Sequence, residues 1–144
     1  MIRRVGERFV AGKNYRLRPG VYAVLERGGL VLLTHQAAPV PELQLPGGGI
    51  DPGEQPLAAL HREVLEETGW SIRVERRIGA FRRFAFMPDY DLWAEKLCTI
   101  YLATPVLRRS APTEPGHMAV WMPGREAANV LGNAGDRDFL RLCI

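Results

Sequence analysis

Cysteine and lysine are both scarce in this chain. Cys98 and Cys143 are the only cysteines among 144 residues. They lie far apart and make no metal-spaced pair, so they read as two reduced thiols of a cytoplasmic protein. Lysine occurs only at Lys13 and Lys96, so arginine carries nearly all of the positive charge. No apolar run approaches transmembrane length, which argues against a membrane partner. The N-terminus has basic residues with no continuous apolar region behind them, so it is not a secretory signal. Internal repeats and low-complexity tracts are missing too. The net charge of +3 is modest, and duplex nucleic acid would call for a focused basic patch. What is left is an ordinary apolar and charged composition, long enough for one domain with a real core, spanning 1–144.

The chain alternates between β-prone runs and helical stretches. Residues 1–19 mix arginine with isolated apolar positions and read as a loose or edge-strand segment. Residues 20–25 and 30–35 form a hairpin around Gly28-Gly29. A proline-containing loop over 36–42 leads to a short strand at 43–45. Residues 71–86 are β-prone, with Gly79 marking a bulge or break. A loop over 87–95 separates them from a strand at 96–104 that ends before Pro105, and the two strands pair antiparallel. A polar loop at 108–115, a short strand at 118–122 and helices at 124–131 and 136–143 complete the chain. Periodicity alone gives a mixed α and β domain.

Chemistry concentrates in 45–70, LPGGGIDPGEQPLAALHREVLEETGW. Pro56 suits the first position of a helix, and Gly69 suits its terminator. Leu57, Leu60 and Val64 make an apolar stripe at helical spacing, expected well away from the acidic face. Glu63, Glu66 and Glu67 fall at i, i+3 and i+4 and project together. Like charges so placed repel, and a hard divalent cation relieves that; Mg²⁺ and Mn²⁺ prefer carboxylate ligands. A solvated acidic face is the plainer reading of three glutamates alone. Gly47, Gly48 and Gly49 allow close backbone approach just ahead of the helix.

The surrounding order decides between these readings. Gly48 is followed after five residues by Glu54, and after seven more by Arg62-Glu63-Val64-Leu65-Glu66-Glu67-Thr68-Gly69-Trp70. This resembles the Nudix box of the Nudix (MutT-like) hydrolases, G-x5-E-x7-R-E-U-x-E-E-x-G-U, with U a bulky apolar residue. Every fixed position is matched, and Trp70 stands where an aliphatic residue is more usual. The resemblance implies an α/β fold, a Nudix-type α/β/α sandwich with a mixed β-sheet between helices. It also implies metal-dependent hydrolysis of the pyrophosphate bond of a nucleoside diphosphate linked to another group. By motif position, Glu63, Glu66 and Glu67 bind Mg²⁺ or Mn²⁺, with a backbone carbonyl from Gly47 or Gly48. Glu54 and Arg62 organise the loop and helix through ion pairing.

A base or further ligand from outside the box is expected at Glu114, in the loop before 118–121, where such enzymes often carry a glutamate. His117, Glu95, Glu66 and Glu67 are the alternatives. Arg16, Arg18, Arg82 and Arg83 are candidates for phosphate, and Tyr22, Phe84, Tyr90 and Trp93 for stacking on a base, although each has an ordinary surface or core role. The leading substrate is a nucleoside triphosphate, canonical or oxidised such as 8-oxo-dGTP, because the short chain has no added recognition domain. ADP-ribose, other nucleotide sugars and dinucleoside polyphosphates stay open. The RNA-pyrophosphohydrolase branch ranks lower, since Leu45-Pro46-Gly47-Gly48 differs from its Pro-Gln-Gly-Gly. A nucleotide-sensing module is disfavoured by the intact box. Isoprenyl diphosphate isomerisation is disfavoured by the absence of a modified box. Oligomeric state is open, a homodimer included.

Overall fold

In a computed structural model, described over residues 2–144, alternation and glycine placement build the sheet. Gly28 and Gly29 both take positive φ, +60° and +85°, the requirement of the two-residue turn that best joins twisted strands. They connect β2 (Arg16–Arg27) to β3 (Leu30–Gln36). The expected hairpin forms, but it is short. Only Glu26 with Val31 and Arg27 with Leu30 are paired across it. Beyond the turn, β3 departs to pair with β4 (Glu42–Gln44) and β8 (His117–Pro123). β2 instead runs parallel to β7 (Leu92–Arg108) from Arg16 to Leu25. β7 is antiparallel to β6 (Trp70–Met87), and β1 (Arg3–Gly6) lies parallel along the outer edge of β6. The result is a mixed sheet that splits where β2 and β3 diverge.

Helices cover both faces, as the expected sandwich requires. Alternate residues of β2 send Val21, Ala23 and Leu25 to a core with Ala59, Leu60 and Val64 of α1 (Pro56–Thr68). Val24, with Val31, Leu33, Phe81 and Ile100, meets Ala127, Ala128 and Leu131 in and just beyond α2 (Gly124–Val130), and Leu140 of α3 (Ala134–Cys143). Burying such side chains contributes about 1.5–3 kcal/mol each, before chain entropy is charged against it.

Several boundaries differ from the sequence reading. β2 begins at Arg16 and passes through Pro19, so only the stretch before it is loose apart from β1. The expected loop over 87–95 is mostly strand. β6 runs to Met87, a single 3-10 turn spans Pro88–Tyr90, and β7 starts at Leu92. Cross-strand contact between Phe86 and Trp93 holds this hairpin end; proline and aspartate in the turn hide it from a propensity reading. β7 also continues past Pro105 to Arg108. Its pairing with β2 ends at Ala103, so proline's missing N–H costs no ladder bond on that side. The bulge expected at Gly79 is present. A Cβ there would stand 2.5 Å from the Phe139 ring of α3. α3 starts two residues earlier than expected, because Asn133 caps it by accepting the Asp136 N–H at 2.8 Å. Both cysteines are free. Among the described residues no helix is long and apolar enough to cross a membrane.

Candidate active site at the glycine strand and acidic helix

The glycine run is a strand, β5 (Gly47–Gly49), paired antiparallel with Gly20–Tyr22 of β2. Flanking bonds run from Ala23 N–H to Pro46 O and from Ile50 N–H to Pro19 O. Antiparallel pairing alternates, so Gly47 and Gly49 turn polar groups away from β2 and toward α1. There Gly47 N–H donates to Glu67 Oε1 at 2.9 Å, and Gly49 O accepts from Arg62 Nη2 at 3.3 Å. Glycine is required at two of these positions. A Cβ on Gly47 would meet Val21 O at 2.1 Å, and one on Gly48 would sit 2.5 Å from the Glu63 carboxylate.

Arg62 is the hub of the acidic helix. Its Nε and Nη2 grip Glu54 in a two-point pair at 2.7 and 2.8 Å. Its Nη1 bonds Glu63 at 3.0 Å and Glu66 at 3.3 Å. Glu54 also accepts the Asp51 N–H at 3.0 Å, which fixes the turn leading into the helix. The Arg62 hydrogen bonds and that N–H hold the Glu54 carboxyl down at about 2. Glu54 and Arg62 thus tie the turn at Asp51 to the helix.

Glu67 departs from the expectation that the packed stripe lies well away from the glutamates. Leu60, Val64, Glu67 and Thr68 share the buried side of α1, and Glu67 is only 5% exposed. Leu57, assigned to the stripe, is instead 45% exposed. Periodicity gives the direction of a face but not which turns of the helix lie over the sheet. Burial pushes the Glu67 carboxyl well above its ordinary range, against the Gly47 N–H, and Glu63, Glu114 and Glu66 push it further. Burial also raises Glu63, opposed by Arg62.

The loop after β7 docks on the C-terminus of α1. Gly69, at φ +80°, ends the helix, and a Cβ there would strike Ser110 O at 1.9 Å. The Thr113 and Glu114 N–H groups both donate to Glu66 O, at 2.8 and 2.9 Å. Glu114, the first candidate for base, is brought beside the glutamates and exposed to solvent. His117 Nδ1 lies 2.9 Å from Thr34 Oγ1 and 3.4 Å from Glu67 Oε2. Burial lowers its pKa, against Glu114. Glu95 goes elsewhere, to an ion pair with Arg82 at 3.2 Å. Arg82 is thereby engaged, and Phe84 is buried beside Phe9 and Tyr15.

A cavity of about 280 Å³ opens beside these groups. Gly47, Glu67 and His117 line it, together with Tyr22, Asn133 and Asp136. Asp136 accepts the Leu45 N–H at 3.1 Å, and burial lifts its pKa to about 6. Thr34, Asn133 and Asp136 escaped the sequence reading. Only Asn133 carried a signal, as a cap residue before a helix.

The carboxylate set suits a hard divalent cation. Glu63, Glu66, Glu67 and Glu114 crowd together, and each raises the pKa of at least one neighbour or is raised itself. In the described arrangement Arg62 engages Glu63 and Glu66, while Gly47 N–H engages Glu67. No group of three acidic, histidine or cysteine side chains converges with metal-binding geometry among the described residues. The donor chemistry fits, and the side chains are held by protein partners.

The NUDIX domain model matches residues 15–143. The chain belongs to the Nudix hydrolase family. A Bacillus subtilis (strain 168) protein named "Putative 8-oxo-dGTP diphosphatase" is 34% identical over 74 residues, which is 51% of this chain and 50% of that protein. An RNA pyrophosphohydrolase of Cereibacter sphaeroides (strain ATCC 17029 / ATH 2.4.9) is 45% identical over 65 residues, 44% of this chain and 40% of that one. The matched stretch thus spans half or less of these curated relatives. Among solved structures, a Nudix hydrolase from Nitrosomonas europaea superposes with a TM-score of 0.70 at 23% identity, covering 88% of this chain and 87% of that one. A MutT protein from Methanosarcina mazei Go1 gives 0.71 at 19% identity, covering 91% and 95%. These two likenesses establish the shared Nudix fold.

Proposed function

We propose that this chain hydrolyses the pyrophosphate bond of a nucleoside diphosphate linked to another group, with a nucleoside triphosphate, canonical or oxidised, as the leading substrate. The observation that carries this reading is the junction of an intact acidic helix with the glycine strand, where Glu67 accepts the Gly47 N–H at 2.9 Å beside a cavity. The printed names of the two curated relatives favour nucleotide and RNA pyrophosphate chemistry, and the first supports an oxidised nucleoside triphosphate. The RNA branch, set aside on the Leu45-Pro46 difference, regains weight from the second. Two free thiols support work in the cytoplasm.

Glu63, Glu66 and Glu67, with the Gly47 carbonyl, would hold Mg²⁺ or Mn²⁺. When bound, such an ion neutralises phosphate oxygens and makes water more acidic. The chain's own residues do the rest by positioning. Arg62 and Glu54 lock the turn to the helix and keep Glu63 and Glu66 gathered. Glu114, exposed and attached through its N–H to the helix end, takes the proton of the attacking water. His117, anchored by Thr34, steadies Glu67 from the other side.

The test is a panel of nucleoside triphosphates (8-oxo-dGTP included), ADP-ribose, dinucleoside polyphosphates and a 5′-triphosphorylated RNA, incubated with Mg²⁺. Products are identified by mass spectrometry. A monophosphate plus pyrophosphate from a triphosphate is the expected result. Silence across the panel, together with measurable nucleotide binding, would replace the hydrolase with a sensor.

A further inference from the structure

The sheet register places three cations side by side. Arg18 of β2 is opposite Lys96 of β7, and Lys96 is opposite Arg83 of β6. All three share strand parity with Tyr22, Cys98 and Phe81, which line the cavity. Like charges directly across a ladder repel and cost stability. The neighbouring acids cancel only part of the row: Glu42 pairs with Arg83 at 3.5 Å and Asp136 lines the same cavity, two acids against three cations. Lys96 forms no ion pair among the described residues, and burial, with Arg83 and Arg18, lowers its pKa against Cys98 and Glu42. A guanidinium has five N–H donors, yet the Arg83 side chain makes no hydrogen bond among the described residues, and its Nε is buried without a partner. Arg18 packs over the Tyr90 ring at 5.5 Å, and that tyrosine lines the same cavity.

The row lies away from the glutamates. Gly47, which holds Glu67, is paired with Tyr22. Arg18 is four residues back along β2, about 13 Å at the usual rise of a strand. Lys96 and Arg83 also line a second chamber of about 420 Å³, walled by Pro39, Val40, Phe86 and Tyr90. Lys96 and Arg83 therefore stand where the two chambers meet, and Arg18 adjoins them through the register and the Tyr90 ring.

We propose that Arg18, Lys96 and Arg83 form a second anion subsite, which binds a phosphate on the substrate separate from the anhydride held at the glutamates. A nucleotide spanning the inner chamber presents such a group on the 3′ side of its sugar. The shared chemistry is a 3′-linked phosphate, either the monoester of a free nucleotide or the first phosphodiester of an oligonucleotide. The orientation rests on the proposed hydrolase reading, so the test measures binding rather than turnover.

Calorimetry with Mg²⁺ compares adenosine and guanosine 3′,5′-bisphosphates with the corresponding 5′-monophosphates, and with the 5′-phosphorylated dinucleotide pApA. The wild type should bind a bisphosphate at least about tenfold more tightly than its monophosphate, a difference of about 1.4 kcal/mol. Lys96→Met should bring that ratio close to one, and Lys96→Arg should retain most of it. Tight binding of pApA assigns the phosphate to a nucleic-acid 5′ end; preference for the bisphosphate alone assigns it to a free nucleotide. Equal wild-type affinities for bisphosphate and monophosphate with both nucleobases, no binding of any probe at millimolar concentration, or a folded Lys96→Met that keeps the ratio would each overturn the subsite. If Lys96→Met does not fold, the wild-type ratio decides. Preference without turnover in the substrate panel would sink the hydrolase reading and spare the subsite. Turnover without preference would do the reverse.

Discussion

Glu67→Gln separates what this side chain does for the fold from what it does for catalysis. Glu67 is nearly fully buried, and its Oε1 accepts the Gly47 N–H at 2.9 Å. Glutamine has the same length and keeps a carbonyl oxygen at that position, so the hydrogen bond, worth about 1 kcal/mol net, is retained. The substitution also removes a carboxyl whose ionisation burial and three glutamates oppose. Without divalent ions, the variant should therefore melt at or above the wild-type temperature. Adding Mg²⁺ reverses the order. An ion at a hundredfold excess over its Kd stabilises by about 2.7 kcal/mol, or roughly 5–10 °C for a domain near this size. Glu67→Gln should lose most of that gain, and turnover should fall by about 10²–10⁴-fold. Differential scanning fluorimetry with EDTA or Mg²⁺, alongside pyrophosphate release, reads both effects. A folded variant with wild-type turnover, or one stabilised by Mg²⁺ as much as the wild type, would refute the assignment.

Three other substitutions probe the supports of the site. Arg62→Ala removes the shared cation of Glu54, Glu63 and Glu66; after discounting for solvent exposure, it should cost about 2 kcal/mol in a urea titration. An unchanged midpoint would count against Arg62 as the organiser. Gly69→Ala forces a left-handed alanine against Ser110 O, so it should cost about 3 kcal/mol, or roughly 10 °C of Tm; a shift under about 2 °C would show that the loop simply moves aside. Asp136 has a folded pKa of about 6 against an ordinary 3.8. Being raised, it contributes stability that is full below about pH 3.8 and lost as pH rises through about 6, at most about 3 kcal/mol. Asp136→Asn should flatten the stability profile between pH 4 and 6; chemical denaturation across that range would expose an unchanged slope.

The acidic helix was legible in the sequence because its signals are local. Pro56, the i, i+3, i+4 glutamates and Gly69 act through backbone geometry that spans one helix. The pairing of Arg62 with Glu54 was legible for the same reason, since they stand only eight residues apart. The Gly28-Gly29 turn announced its hairpin in the same way. The length of that hairpin was not legible, because β3 pairs with β8, some 85 residues later in the chain. Leu57 falls on the stripe by spacing yet is exposed, because periodicity cannot say where a supporting sheet ends. The 87–95 stretch has the local signature of a loop because its strand character comes from cross-strand contact, not from its own residues.

Sequence alone determined the family, the acidic cluster and the helix that carries it, because each is written in contiguous residues with fixed spacing. Tertiary structure decided the rest. It buried Glu67 against Gly47, docked Glu114 on the helix end, drew Thr34 to His117, and lined up Arg18, Lys96 and Arg83 across three strands. These pairings join segments that are distant in the chain. Their register is set by which side chains can be buried together, so no local pattern encodes them.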